Sequence, residues 1–168
     1  ADHYIVSARI AGEQSDAEGV LFLVPADAQG VEAKSYRMMD GQIVANVVLK
    51  DVSVPVANLV GESGGALPLI EALALDAKLA VAGEALGIMG QLNAKTLEYT
   101  KTRKQFDVAI GSFQALQHRM VDTFMAYEQT KSLLYRALCV SNADEDDSLV
   151  VETIHALSVM VDQAGKKI

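Results

Sequence analysis

A chain of 168 residues with 51% hydrophobic content is long enough for about one domain with a sizeable core. Its net charge of −8 argues against a nucleic-acid partner, since phosphate binding needs a concentrated basic face. No apolar run reaches the roughly 18 residues of a membrane span, and the lone Cys139 cannot close an internal disulfide, which makes a reducing cytoplasm the default. One Cys and three His (His3, His118 and His155) show no metal-ligand spacing.

The first third reads as strands. Tyr4–Arg9 alternates apolar and polar residues, Val20–Val24 is a short apolar run stopped by Pro25, and Ile43–Leu49 is rich in β-branched residues. Val52-Ser53-Val54, ending at Pro55, reads as a further short strand. Turn punctuators fall between them at Gly12, Asp16 to Gly19, Asp27 to Gly30 and Asp40-Gly41. Period-two segments with such turns predict an antiparallel sheet or small barrel and not βαβ units. Gly61–Ala66, GESGGA, then marks a change of architecture.

From Leu67 the chain is helical. A first helix is predicted to run to Lys101 with Pro68 in its first turn, where a missing amide proton does no harm. Gly83, Gly87 and Gly90 each weaken that helix by roughly 1 kcal/mol relative to Ala; close approach of a neighbouring helix is the expected compensation. A second helix is predicted from Ser112 as N-cap, with Leu116, Met120, Phe124, Tyr127, Leu134 and Leu138 on its apolar face. The carboxylates Asp144 to Asp147 suit the positive end of a third helix and lack the alternation and Gly of a calcium loop. Val150, Ile154, Leu157, Val161, Ala164 and Ile168 keep helical rhythm to the last residue. The expected fold is α+β: a partial antiparallel sheet or barrel over residues 1–62, then a three-helix portion of an up-down bundle over 63–168. A pattern still running at Ile168 suggests an internal piece of a longer protein.

Between the first two helices lies TRKQFDVAIGSFQ, Thr102–Gln114. Taken by themselves, Arg103 and Lys104 at a helix end are dipole partners, Phe106 and Phe113 could plug the corner, and Gln114 could cap the second helix. Arg103-Lys104-Gln105-Phe106, the Gly111 turn and Phe113-Gln114 together, however, resemble the flavin-contacting hairpin of the acyl-CoA dehydrogenase family. DHYIVSAR, GVLFLVPADAQGV and LKDVSVPVANLVGESGGA resemble, in the same order, later strands of that family's middle β-domain and the exit from it. The resemblance covers essentially the whole chain.

The resemblance implies an FAD enzyme that removes hydrogens from the α,β bond of an acyl-CoA thioester and passes electrons to an electron-transfer flavoprotein. It implies a homo-oligomer in which this hairpin reaches the FAD of a neighbouring subunit. Arg103 would pair with the pyrophosphate, Phe106 would pack near the adenine-ribose end, and Gln114 would hydrogen-bond to the cofactor. The amides near Ser112 and Phe113 would add a weak anion site, Lys104 and Gln105 are weaker candidates, and Asp107 departs from the Gly common at that position. In most members the catalytic Glu lies later than Ile168. In the isovaleryl type it sits on the helix matching Leu67–Lys101, at the position of Ala77, which can do no acid-base work. Asp76 is adjacent but turned by about 100°. Lys78 stands where many members carry Arg near the substrate, so Asp76 and Lys78 are the substrate-side candidates; as an open alternative, both are surface residues. The absence of a base leaves a second reading, a non-catalytic assembly subunit of a heteromeric dehydrogenase. On either reading the 168 residues alone are expected neither to hold FAD tightly nor to turn over, and to associate through uncovered apolar faces.

Overall fold

The computed structural model describes residues 1–9, 19–143 and 146–168. The turn expected at Gly12 and Asp16 to Glu18, and two of the expected capping carboxylates, Asp144 and Glu145, lie outside the described residues. The chain divides into two compact units, Ala1–Ala72 and Leu73–Ile168.

In the first unit β1 (His3–Arg9) pairs antiparallel with β2 (Gly19–Pro25), in register from His3 opposite Pro25 to Arg9 opposite Gly19. β2 is the central strand: its other edge pairs with β5 (Leu59–Val60). Val20, Leu21 and Val24 are accordingly buried, which is why this strand reads as a nearly continuous apolar run. The Asn58 side chain donates to the Leu23 carbonyl at 2.9 Å and fastens the chain beside β2.

A separate two-stranded ribbon joins β3 (Val31–Arg37) to β4 (Ile43–Leu49). β3, VEAKSYR, carries too many charged and small residues for its pattern to announce a strand; its pairing with β4 creates it. The ribbon's tip is closed by Met38 N–H donating to Gln42 O at 2.8 Å and by Gln42 N–H donating to the Asp40 carboxylate at 2.9 Å. The α+β class is confirmed, but among the described residues the sheets stay small and form no closed barrel. Val52-Ser53-Val54 is not a strand: it has no ladder partner among the described residues, and Leu59–Val60 pairs with the second edge of β2 instead.

The second unit is built on α1 (Ala66–Thr102), α2 (Gln114–Asn142) and α3 (Asp147–Gly165), the first of which begins before the unit boundary. Their core is Ala82, Leu86, Leu134, Ala137, Ile154 and Leu157, extended by Met89, Ala126 and Ala164. The alanines let the helix backbones approach, and each large aliphatic side chain buried here contributes about 1.5–3 kcal/mol. Thr130 is wholly buried and its hydroxyl donates to Ala126 O at 2.8 Å, so no polar group is left unsatisfied there.

The periodic series on α3 is confirmed: Ile154, Leu157 and Ala164 are buried and Val150, Val161 and Ile168 pack around them. Asp146 is the α3 N-cap. The Ser148 hydroxyl (2.9 Å) and amide (3.2 Å) both donate to its carboxylate and hold its pKa below the usual carboxylate range. The capping interaction is therefore complete at neutral pH and is lost as the pH falls through that lowered value.

Two expectations change. On α2 the packed stripe is Ala126, Thr130, Leu134 and Ala137, while Phe124 and Leu138 are exposed. On α1, Gly90 lies against the Tyr127 ring, where an added Cβ would stand 3.3 Å away, but Gly83 and Gly87 face open space. The turn of α1 that buries Ala82, Leu86 and Met89 necessarily points those two glycines elsewhere.

Gly30 is the position where the ribbon depends on glycine. Its φ is +90°, and a Cβ there would stand 2.1 Å from the Lys50 carbonyl oxygen, beside the Lys50 N–H to Gly30 O bond of 2.9 Å. Gly30→Ala is expected to destabilise the ribbon by about 2 kcal/mol or more, seen as accelerated amide exchange across β3 and β4 with α3 unaffected.

Candidate functional site

α1 ends at a tightly fastened corner. Thr100 is buried and its hydroxyl donates to Leu97 O at 2.9 Å and to the Met120 sulfur at 3.4 Å. Thr102 donates back to Glu98 O and Tyr99 O, and Arg103 N–H closes the last turn on Tyr99 O at 2.8 Å. The chain then reverses through a small β-hairpin, β6 (Lys104–Gln105) against β7 (Val108–Ala109), with Gln105 opposite Val108.

Only Phe106 and Asp107 remain for the turn, with φ of +53° and +64°. Two consecutive left-handed residues are what a two-residue type I′ loop requires. Asp tolerates that region; Phe does so at a real energetic penalty. The Phe106 ring is 86% exposed, and its contact is an edge-to-face meeting with Phe113 at 6.2 Å and 83°.

After β7 a 3-10 turn, Ile110–Ser112, leads into α2. Ile110 N–H donates to Arg103 O at 2.9 Å and closes the corner. The Ser112 hydroxyl turns back to Ala109 O at 2.7 Å, so Ser112 is spent within the 3-10 turn and is not the N-cap of α2. That place falls to Phe113, which offers no side-chain acceptor. Its carbonyl takes the Leu116 and Gln117 amides, and the first amides of α2, those of Gln114 and Ala115, have no partner among the described residues.

The structure brings Arg103, Gln105, Phe106, Phe113 and Gln114 together within this one corner. All five are exposed. Among the described residues the Arg103 guanidinium makes no ion pair, whereas its neighbour Lys101 reaches Glu98 at 3.7 Å. Asp76 and Lys78 are not brought to the corner: 25 or more residues of α1 separate them from Arg103, about 40 Å of helix. Asp76 and Ala77 are exposed and Lys78 is half-buried. An apolar groove of about 520 Å³ between α1 and α2, lined by Leu97, Met120, Phe124 and Tyr127 among others, contains no carboxylate, histidine or lysine.

Sequence reasoning missed the I′ turn because the usual Asn-Gly or Asp-Gly signal is replaced by Phe-Asp. It also missed Thr100 and Gln117, whose roles depend on what their side chains meet in three dimensions.

A helical-bundle segment follows an antiparallel β-unit and carries this hairpin between its first two helices. Residues 68–161 match the family description "Acyl-CoA dehydrogenase, C-terminal domain", and the chain belongs to the acyl-CoA dehydrogenase family. It is 29% identical over 138 residues to the probable acyl-CoA dehydrogenase YngJ of Bacillus subtilis, covering 79% of this chain and 36% of that protein. It is 32% identical over 129 residues to the mitochondrial isovaleryl-CoA dehydrogenase of Solanum tuberosum, covering 76% and 30%. The solved structure described as PigA with FAD and proline superposes with a TM-score of 0.91 at 24% identity over 99% of this chain and 44% of that one, a likeness of fold. The chain thus spans about a third of the length of the curated relatives it matches.

The hairpin geometry gives a direct expectation. At Asp107 the order of stability should be Gly at least equal to Asp, then Ala, then Val, with Asp107→Val weakening the turn by about 1–2 kcal/mol. Amide exchange of the hairpin in the four proteins checks the order; equal exchange in the Gly and Val variants would contradict a left-handed residue there.

Proposed function

We propose that the chain is part of an FAD-dependent acyl-CoA dehydrogenase that oxidises the α,β bond of an acyl-CoA, and that its hairpin completes the FAD site of a neighbouring subunit. The observation that supports this reading best is Arg103: an exposed guanidinium with no ion pair among the described residues, on a hydrogen-bonded corner that also carries the first α2 amides, which have no partner among those residues. A guanidinium presents a planar fork that matches two phosphate oxygens, and helix N-terminal amides favour the same negative charge. The donor set therefore fits the diphosphate of FAD. Phe106 supplies an apolar face for the adenine-ribose end, Phe113 steadies that ring, and Gln114 and Gln105 supply hydrogen-bonding amides. When bound, FAD supplies the hydride acceptor of the dehydrogenation.

Asp76 and Lys78, some 40 Å along α1 from the corner, belong in this reading to a different end of the site, near the acyl-CoA. The base is placed outside this chain, since the isovaleryl-type position is occupied by the methyl group of Ala77. An electron-transfer flavoprotein as acceptor, a homo-oligomeric assembly and a cytoplasmic setting complete the proposal; among the described residues no helix is long and apolar enough to cross a membrane. Ala77 also favours one competing reading, a non-catalytic subunit that lends its hairpin to a catalytic partner. A dehydrogenase assay of the purified full-length gene product separates the two.

In the full-length gene product, Arg103→Ala is expected to weaken FAD binding by about 10- to 100-fold, the worth of a charge-assisted bidentate contact. Arg103→Lys should recover only part of it. Titration of apo-protein with FAD by flavin fluorescence measures both; an unchanged dissociation constant in Arg103→Ala would contradict the proposal.

A further inference from the structure

We infer that Gln117 is a positioning residue that holds the hairpin, and through it Arg103, in its cofactor-ready place; this rests on the flavin reading above. Gln117 lies one turn into α2. Its backbone amide donates to Phe113 O at 3.1 Å, as the helix requires, but its side-chain amide reaches back six residues and donates to Gly111 O at 3.0 Å.

Gly111 packs tightly against the end of α1. A Cβ there would stand 3.0 Å from the Thr100 carbonyl oxygen, and Thr100 is itself buried and fixed by its bonds to Leu97 O and the Met120 sulfur. The Gly111 backbone therefore rests on the end of α1 while its carbonyl is gripped from α2. One residue earlier, Ile110 N–H donates to Arg103 O. The connection from α2 to the guanidinium-bearing residue thus runs through two hydrogen bonds and one peptide unit: Gln117 to Gly111, then Ile110 to Arg103.

Ser112, the residue expected to fasten the start of α2, is engaged with Ala109 and leaves this task undone. Phe113 has no side-chain acceptor to replace it. Gln117 is the side chain that spans the gap between the 3-10 turn and the helix. Because Gln117 is exposed, its loss leaves the Gly111 carbonyl to water, and the consequence is a looser corner and not an unfolded bundle.

The test uses the full-length gene product with Gln117→Met, which keeps the length and removes the donor, and Gln117→Glu, which keeps the shape and presents only acceptors. Gln117→Lys restores a donor. Amide exchange at Ile110 in the apo-protein should rise about 3- to 10-fold in the Met and Glu variants, the scale of one neutral hydrogen bond, and recover in the Lys variant. FAD affinity of the Met variant should fall by a similar factor with the melting temperature nearly unchanged. Unaltered exchange at Ile110 in Gln117→Met overturns the inference. So does faster exchange with unaltered FAD affinity in a protein whose Arg103→Ala variant loses FAD. If Arg103→Ala and Gln117→Met both leave FAD affinity unchanged, the flavin reading fails first and the inference falls with it.

Discussion

The hydrogen bond from Ile110 N–H to the Arg103 carbonyl, 2.9 Å long, closes a corner that would otherwise be a slack connection between two long helices. Once it forms, only six residues remain between its ends, and they have little choice: two short strands and a two-residue turn whose members must take positive φ. Gly111 then fits against Thr100 because it lacks a side chain. The outcome places a guanidinium, an exposed ring and helix amides without a partner among the described residues on one small, hydrogen-bonded corner. The hydrogen-bonded backbone fixes where the Arg103 side chain starts, which lowers the ordering entropy of the loop that an anionic ligand would otherwise have to overcome.

The coarse architecture was legible because burial writes itself into spacing. β2 and the α3 series are buried where their apolar residues predict, and β4 runs over the residues its β-branched run marks, Ile43–Leu49. What escaped was pairing. β3 exists because β4 lies beside it, while Val52-Ser53-Val54 has strand-like residues and no partner. The same limitation hid which stripe of α2 packs: Phe124 and Leu138 are apolar and periodic, yet the small residues Ala126 and Ala137 are the ones that let α2 approach its neighbours. Composition reports what a residue prefers, and only the partner decides whether the preference is met.

The candidate site shows a similar division. The candidate cofactor residues Arg103, Phe106 and Gln114 were legible only through the resemblance of the whole hairpin, since a basic residue at a helix end is by itself an ordinary dipole partner. Residues that act through position were not legible. Ser112 looks like a helix cap and serves a 3-10 turn; Gln117 looks like any exposed glutamine and reaches the Gly111 carbonyl. Gly83 and Gly87 remain open on α1, next to exposed Val81 and Ile88. Nothing in the chain's own packing explains these two glycines. Ala77, by contrast, carries a plain chemical message: family membership places the chain on an acyl-CoA dehydrogenase scaffold, and a methyl group at residue 77 can do no acid-base work.

The central claim is that the Arg103 corner serves a nucleotide cofactor bound chiefly by another protomer. An experimental structure of the full-length oligomer with FAD tests it most directly. The account requires the Arg103 guanidinium within hydrogen-bond distance, about 3 Å, of a diphosphate oxygen on FAD seated in an adjacent subunit. A guanidinium turned to solvent or to its own subunit's carboxylates, with the diphosphate neutralised by other groups, would contradict it.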